Sequence, residues 1–283
     1  MKILLTAPPA MGKSTVIGKV VGAFKGTKRG IVAREIRDDD GERVGFTSVK
    51  ESGDSRQFMF RTKTPNEDSI GGLFDVDLEA VDGFVIPELK EGMQAACGLL
   101  YVDEIGRAQA KSALFLATLR EILAGRSNVL ASIVYEDEPW SLEFKRHPDV
   151  CILEVTPGNR DRLPEILGAA FGQAALFAAL SKSQKSQVLR WLKEFVQSEK
   201  LDSAAKIFSN ALPYLHEKKI ELVASSNGRI EYSVRGLTNA HRLVLEGDKF
   251  VCDCDLSKGT GIFAGNAGVC SHEMSARLMA MTP

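Results

Sequence analysis

Near its start the chain carries Ala7-Pro8-Pro9-Ala10-Met11-Gly12-Lys13-Ser14-Thr15. An apolar strand-like run, Lys2–Thr6, precedes it and a helix-like run follows. Backbone N–H groups in such a turn wrap phosphate oxygens, and the helix N-terminus adds partial positive charge. In this Walker A pattern Lys13 reaches the β- and γ-phosphates of a nucleoside triphosphate and the Ser14 hydroxyl holds Mg²⁺. Ala7 replaces the first glycine of the pattern, and Pro8-Pro9 stiffen the loop in its place. About 90 residues downstream, Leu99-Leu100-Tyr101-Val102-Asp103-Glu104 is an apolar run ending in two acids. That is the Walker B pattern, in which Asp103 serves Mg²⁺ and Glu104 accepts a proton from, or orients, the attacking water.

A second kind of chemistry sits at the other end. Cys252-Asp253-Cys254 and, after fifteen intervening residues, Cys270-Ser271-His272 give C-x-C…C-x-H. Three thiolates and an imidazole make a closed tetrahedral set, the composition of structural zinc, and leave no open position for a catalytic water. Cys97 and Cys151 stand alone and read as inert core residues.

The elements that must position these groups fall into two sets. Up to about residue 180 strands and helices alternate: Gly12–Phe24 helical; Gly30–Arg37 and Arg43–Val49 strands joined by Asp38-Asp39-Asp40-Gly41; Leu99–Val102 a buried strand; Ala108–Leu123 helical; Asn128–Tyr135 and Cys151–Val155 strands; Arg160–Leu180 one long helix. The fold class expected is α/β, a P-loop NTPase core with a mainly parallel sheet flanked by helices. Beyond Ser181–Ser186 come helices at Lys185–Gln197 and Ala204–Leu215. Short strands follow at Lys219–Ala224, Ile230–Val234, Arg242–Leu245 and Lys249–Cys252, with turns at Asn227-Gly228 and Gly247-Asp248. The expected division is residues 1–180, a helical linker at 181–217, and a small α+β zinc-binding domain at 218–283.

Net charge is −1, from 36 basic and 37 acidic residues, so no global field points to a polyanion or an anionic membrane. Up to Leu180 there are 22 basic and 26 acidic residues, and 14 and 11 after it, a mild positive bias. Lys249, Lys258, Arg242 and Arg277 are candidates to touch phosphates there, against the ordinary reading as solvated charge. No apolar stretch approaches the ~20 residues of a membrane span, the N-terminus carries no signal-peptide pattern, and a thiol-rich tail suits a reducing cytoplasm.

Val102-Asp103-Glu104-Ile105-Gly106 with Ser112 and Phe115, Glu35-Ile36-Arg37, Gly41-Glu42-Arg43-Val44-Gly45-Phe46, and Asn159-Arg160-Asp161 resemble the P-loop nucleoside-triphosphatases of thermophile and human cancer-related type. The resemblance spans roughly residues 1–175. It implies slow, Mg²⁺-dependent, base-tolerant hydrolysis of ATP, GTP and other triphosphates on a RecA/AAA-like core with an additional strand. Ala7 and Ala10 stand where that family has glycine, and Ala108-Gln109 where it has Met-Glu. Of Arg107, Arg126 and Arg160 as transition-state arginines, Arg160 is chosen because it lies in the matched segment. The tail, residues 218–281, resembles a SWIM-type zinc finger, which implies a binding module for DNA, RNA or protein. Two other functions use the same loop: a nucleotide or small-molecule kinase, and a nucleotide-gated nucleic-acid-binding adaptor. No Arg-rich lid run supports the kinase.

Overall fold

The computed structural model describes residues 1–197, 204–236, 239–246, 249–254 and 270–281. Contacts divide the chain into two compact units, with the break after Arg160.

In the first unit, β1 (Lys2–Thr6), α1 (Lys13–Ala23), β2 (Lys28–Arg37), β3 (Arg43–Lys50), β4 (Ser55–Arg61) and β5 (Phe74–Val76) lead into a helical stretch. That stretch is α2 (Leu78–Ala80), a π turn at Val81–Val85, and α3 (Ile86–Gln94). Then come β6 (Leu99–Ile105), α4 (Arg107–Ala110), α5 (Ala113–Ala124), β7 (Val129–Ile133), α6 (Pro139–Lys145) and β8 (Val150–Glu154). All eight strands form one sheet in the order β5-β4-β3-β2-β6-β7-β1-β8. The β2, β6, β7, β1 and β8 strands pair in parallel, and β3, β4 and β5 extend the sheet antiparallel. Every residue of β1 and β7 is buried, as continuous apolar strands covered on both faces must be. The β7 strand lies between the loop-bearing β1 and the acid-bearing β6, the additional-strand order that the resemblance implies.

Local chemistry moved several boundaries. The helix expected over Ala108–Leu123 is two, α4 and α5, because the Ser112 hydroxyl accepts from the Phe115 amide at 2.9 Å and starts a new helix. The long helix expected over Arg160–Leu180 begins only at Leu163, with Pro164 in its first turn, and breaks at Gln173 into α7 (Leu163–Gly172) and α8 (Ala174–Ala178). The β2–β3 turn is as expected: Asp38 Oδ1 accepts from the amides of Asp40 and Glu42, and Gly41 takes φ 82°.

The second unit continues with α9 (Lys182–Gln197), α10 (Ala204–His216), β9 (Ile220–Ser226), β10 (Arg229–Arg235), β11 (Ala240–Glu246), β12 (Lys249–Cys252) and α11 (Ser271–Ala280). Its four strands form an antiparallel meander, and Asn227-Gly228 makes the expected tight turn with both residues at positive φ. The turn at Gly247-Asp248 and Lys258 lie outside the described residues, as does the Lys249 side chain. The α10 helix packs against both α7 and α11, and Gln184 Nε2 of α9 donates to Leu278 O at 2.7 Å. This packing moves the break from the expected residue 180 to Arg160. The stretch expected as a linker, 181–217, holds α9 and α10, whose buried Val188, Leu192, Phe195, Ile207 and Phe208 contribute to the unit's interior.

The parallel register sets Gly30 of β2 against Tyr101 of β6. A Cβ at Gly30 would lie 2.0 Å from the Tyr101 carbonyl oxygen. Gly30→Ala is expected to cost about 3 kcal/mol in denaturant unfolding; a loss below about 1 kcal/mol would show that β2 and β6 are not this close.

Candidate functional site

The loop between β1 and α1 is a cradle of unsatisfied donors. Ala10 and Gly12 both take left-handed conformations, φ 62° and 98°, which turn successive peptides toward one side. Among the described residues, none of the amides from Ala10 to Thr15 donates to a protein acceptor, and the first that does is Val16 N, to Gly12 O at 3.0 Å. These amides are therefore free for an anion, with the start of α1 behind them. Lys13 Nζ donates to Ala7 O at 2.9 Å, so the ammonium is folded back over the loop.

Across from the loop, β6 carries the two acids. Val102 pairs with Ala131 and Ile105 with Ile133, so three steps of β6 oppose two of β7. This irregularity at the strand end re-aims Asp103 and Glu104. Asp103 is 3% exposed and accepts from Ser132 Oγ at 2.5 Å. Burial pushes its carboxyl up, while hydrogen bonds from Ser132 and Ser14 and the Lys13 charge hold it down. Burial also raises Glu104, opposed chiefly by Lys13. Lys13, Ser14, Asp103 and Glu104 are thus one electrostatic group. Gly106 leaves room for it, since a Cβ there would lie 3.0 Å from Glu104 Oε1 and 2.9 Å from Gln109 Oε1.

One cavity of about 580 Å³ joins these residues. Ala7, Pro9, Ala10, Met11, Gly12, Lys13, Ser14 and Thr15 line one wall, and Asp103 and Glu104 another. Pro8 is the one residue of the sequence-assigned loop outside the lining. The cavity continues over the antiparallel extension, where Phe46, Phe58, Met59 and Ile70 give an apolar surface and Glu35 and Arg43 form an ion pair. The Ser14–Asp103 pair is a chemically apt holder for Mg²⁺: a hydroxyl and a carboxylate side by side, both oxygen donors.

Of the three arginines, only Arg107 shares this cavity. Arg160 is exposed and outside the lining; its Cδ stands 3.8 Å from where a Cβ on Gly12 would be. Arg126 is exposed on the connection from α5 to β7. Ser132 escaped the sequence reading, though its signal was there: one hydroxyl inside five consecutive buried residues of β7.

The second unit holds the other cluster. Ligand atoms of Cys252, Cys254, Cys270 and His272 all lie within 4.8 Å of one another, and all four residues are buried. His272 Nδ1 is 3.7 Å from Cys252 Sγ and 4.0 Å from Cys270 Sγ. Metal–sulfur bonds of about 2.3 Å in a tetrahedron put ligand atoms about 3.8 Å apart, so the donor set fits zinc. His272 stacks on Tyr214 at 5.1 Å between ring centroids and meets His241 at 4.5 Å. Neighbouring sulfurs and burial push the Cys252 thiol up when no cation is near.

The family described as NTPase matches residues 2–167. The nucleoside-triphosphatase THEP1 of Natranaerobius thermophilus is 32% identical over 169 residues, 58% of this chain and 93% of that protein. The cancer-related nucleoside-triphosphatase homolog of mouse is 27% identical over 180 residues, 58% of this chain and 94% of that one. Among solved structures, the crystal structure of THEP1 from Aquifex aeolicus superimposes with a TM-score of 0.53 at 28% identity, covering 59% of this chain and 96% of that one.

Ser132→Ala would deprive a buried carboxyl of its hydroxyl donor. It is expected to cost about 1–2 kcal/mol in urea unfolding, and an unchanged midpoint would mean that Ser132 does not bind Asp103.

Proposed function

Since the chain belongs to the NTPase family, whose match spans residues 2–167, we propose that it hydrolyses nucleoside triphosphates, ATP and GTP among them, to the diphosphate and phosphate. The observation that carries this reading is the single cavity in which the donor-rich loop faces Glu104. The loop amides and Lys13 bind the β- and γ-phosphates. To do so Lys13 exchanges the Ala7 carbonyl for a phosphate oxygen, an acceptor of higher charge. Ser14 and Asp103 would hold Mg²⁺, which when bound neutralises the β- and γ-oxygens. Glu104, at the rim of the same wall, takes the proton of a water whose oxygen attacks the γ-phosphorus. The bond from that phosphorus to the β–γ bridging oxygen breaks, and the electron pair leaves with the diphosphate. Backbone donors do not read bases, which supports broad tolerance of the nucleobase.

In the same proposal, Cys252, Cys254, Cys270 and His272 hold one Zn²⁺ in a closed structural site. The support is the donor set itself: four buried ligands with no position left for water. They lie within the apolar core of Tyr214, Tyr232, Val234, Leu243 and Phe250, so the metal would be part of what keeps the second unit folded.

Phosphate release from ATP and GTP by the full chain with Mg²⁺ tests the first reading. Glu104→Gln should keep triphosphate affinity while turnover falls by ~10²-fold or more; full turnover in this variant removes Glu104 from the mechanism. Elemental analysis should find about one zinc per chain. Chelation should unfold the second unit and leave nucleotide binding by the first. A chain whose second unit melts identically with and without chelator would overturn the zinc assignment.

A further inference from the structure

Resting on the hydrolase reading, the geometry points to Arg107 as a further catalytic residue, the cation that neutralises charge on the γ-phosphate as it is transferred.

Arg107 opens α4, one residue past Gly106 and three past Glu104. It lines the same cavity as Lys13, Asp103 and Glu104. The strand order explains why it reaches that space. The loop follows β1, β7 lies next, and β6 lies beyond it, so the end of β6 and the segment after it face the γ end of a triphosphate seated on the loop. Arg160 follows β8, on the opposite flank of β1. The side that favours Arg107 is therefore the side on which Glu104 stands.

The guanidinium is already oriented. Arg107 Nε donates to Glu138 Oε1 at 2.5 Å, and Nη2 lies 3.6 Å from Glu136 Oε2. Glu138 is fixed in turn: it caps α6, and its other oxygen accepts from Trp140 Nε1 at 2.8 Å. Nη1 makes no hydrogen bond among the described residues. One edge of the planar fork is thus anchored on the segment after β7 and the other end remains available to donate, the arrangement a guanidinium needs to bind an oxyanion with little loss of freedom. The neighbouring Glu136 also lines the cavity. An incoming γ-phosphate competes with it for Nη2 and offers more negative charge.

Of the other cationic residues in the lining, Lys13 belongs to the loop and Arg43 is tied to Glu35 and stacked over Phe46 at 5.3 Å. Charge that develops in the transition state, beyond what the loop already neutralises in the ground state, falls to Arg107. This role has a signature that packing does not, because only the transition state gains from it.

The test compares wild type, Arg107→Ala and Arg107→Lys under saturating MgATP and MgGTP, with affinities for MgADP alone and for MgADP with aluminium fluoride, which mimics the transferring phosphoryl group. The expected result is a turnover loss of ~10²-fold or more in Arg107→Ala. Affinity for MgADP–aluminium fluoride should fall by a similar factor, with MgADP affinity within about threefold of wild type. Arg107→Lys keeps charge and loses the fork, and should recover only part of the rate. It also decides the matter if the alanine variant does not fold. Turnover within about threefold of wild type in the folded variants, or equal losses for MgADP and the aluminium fluoride complex, would overturn the assignment. Absence of phosphate release by the wild-type chain would strike the hydrolase reading itself, which separates the two failures.

Discussion

Two carboxyl groups at the end of one buried strand set the terms for the first unit. Burial pushes both Asp103 and Glu104 toward the neutral form, the Asp103 charge adds to this at Glu104, and each is useful to phosphate chemistry as an anion. The surroundings supply the opposing field: Lys13 from the loop, hydroxyls from Ser14 and Ser132, and Arg107 at the start of the next helix. The sheet order follows from the same need. With β7 between β1 and β6, Ser132 stands beside Asp103, and Ser14 of the loop hydrogen-bonds the same carboxyl.

Much of this arrangement is written in local sequence. Gly12-Lys13-Ser14 after an apolar strand, and an apolar run ending in Asp103-Glu104, are signals that depend on nearby residues alone. So does C-x-C…C-x-H. What escaped depends on distant partners. The β4 and β5 strands contain Arg56, Gln57, Arg61 and Asp75, too polar to announce themselves, and they form because β3 offers them an edge. The helical stretch from Leu78 to Gln94 hides its apolar period behind a π turn, which shifts the buried face by one residue. Ser132 acquires meaning only when β7 is placed next to β6. The arginines show the same limit: Arg160 stands out by its neighbours in sequence, while the side of β1 on which each arginine lies depends on strand order.

In the second unit the thiols that would hold a metal are core residues as well. Cys252, Cys254 and Cys270 sit with Tyr232, Val234, Leu243 and Phe250, and the helix after Cys270 packs on α10. A metal held there would join β12 to α11, and the contacts of His272 with Tyr214 and His241 hold the imidazole with Nδ1 near the sulfurs.

The relatives are matched along more than nine-tenths of their own length by little over half of this chain, and the matched region ends within a turn or two of the point where contacts divide. Each unit has an apolar interior of its own, running from Leu4 to Phe144 in the first and from Tyr214 to Ala276 in the second, so a cavity opened in either core is lined by side chains of that same unit.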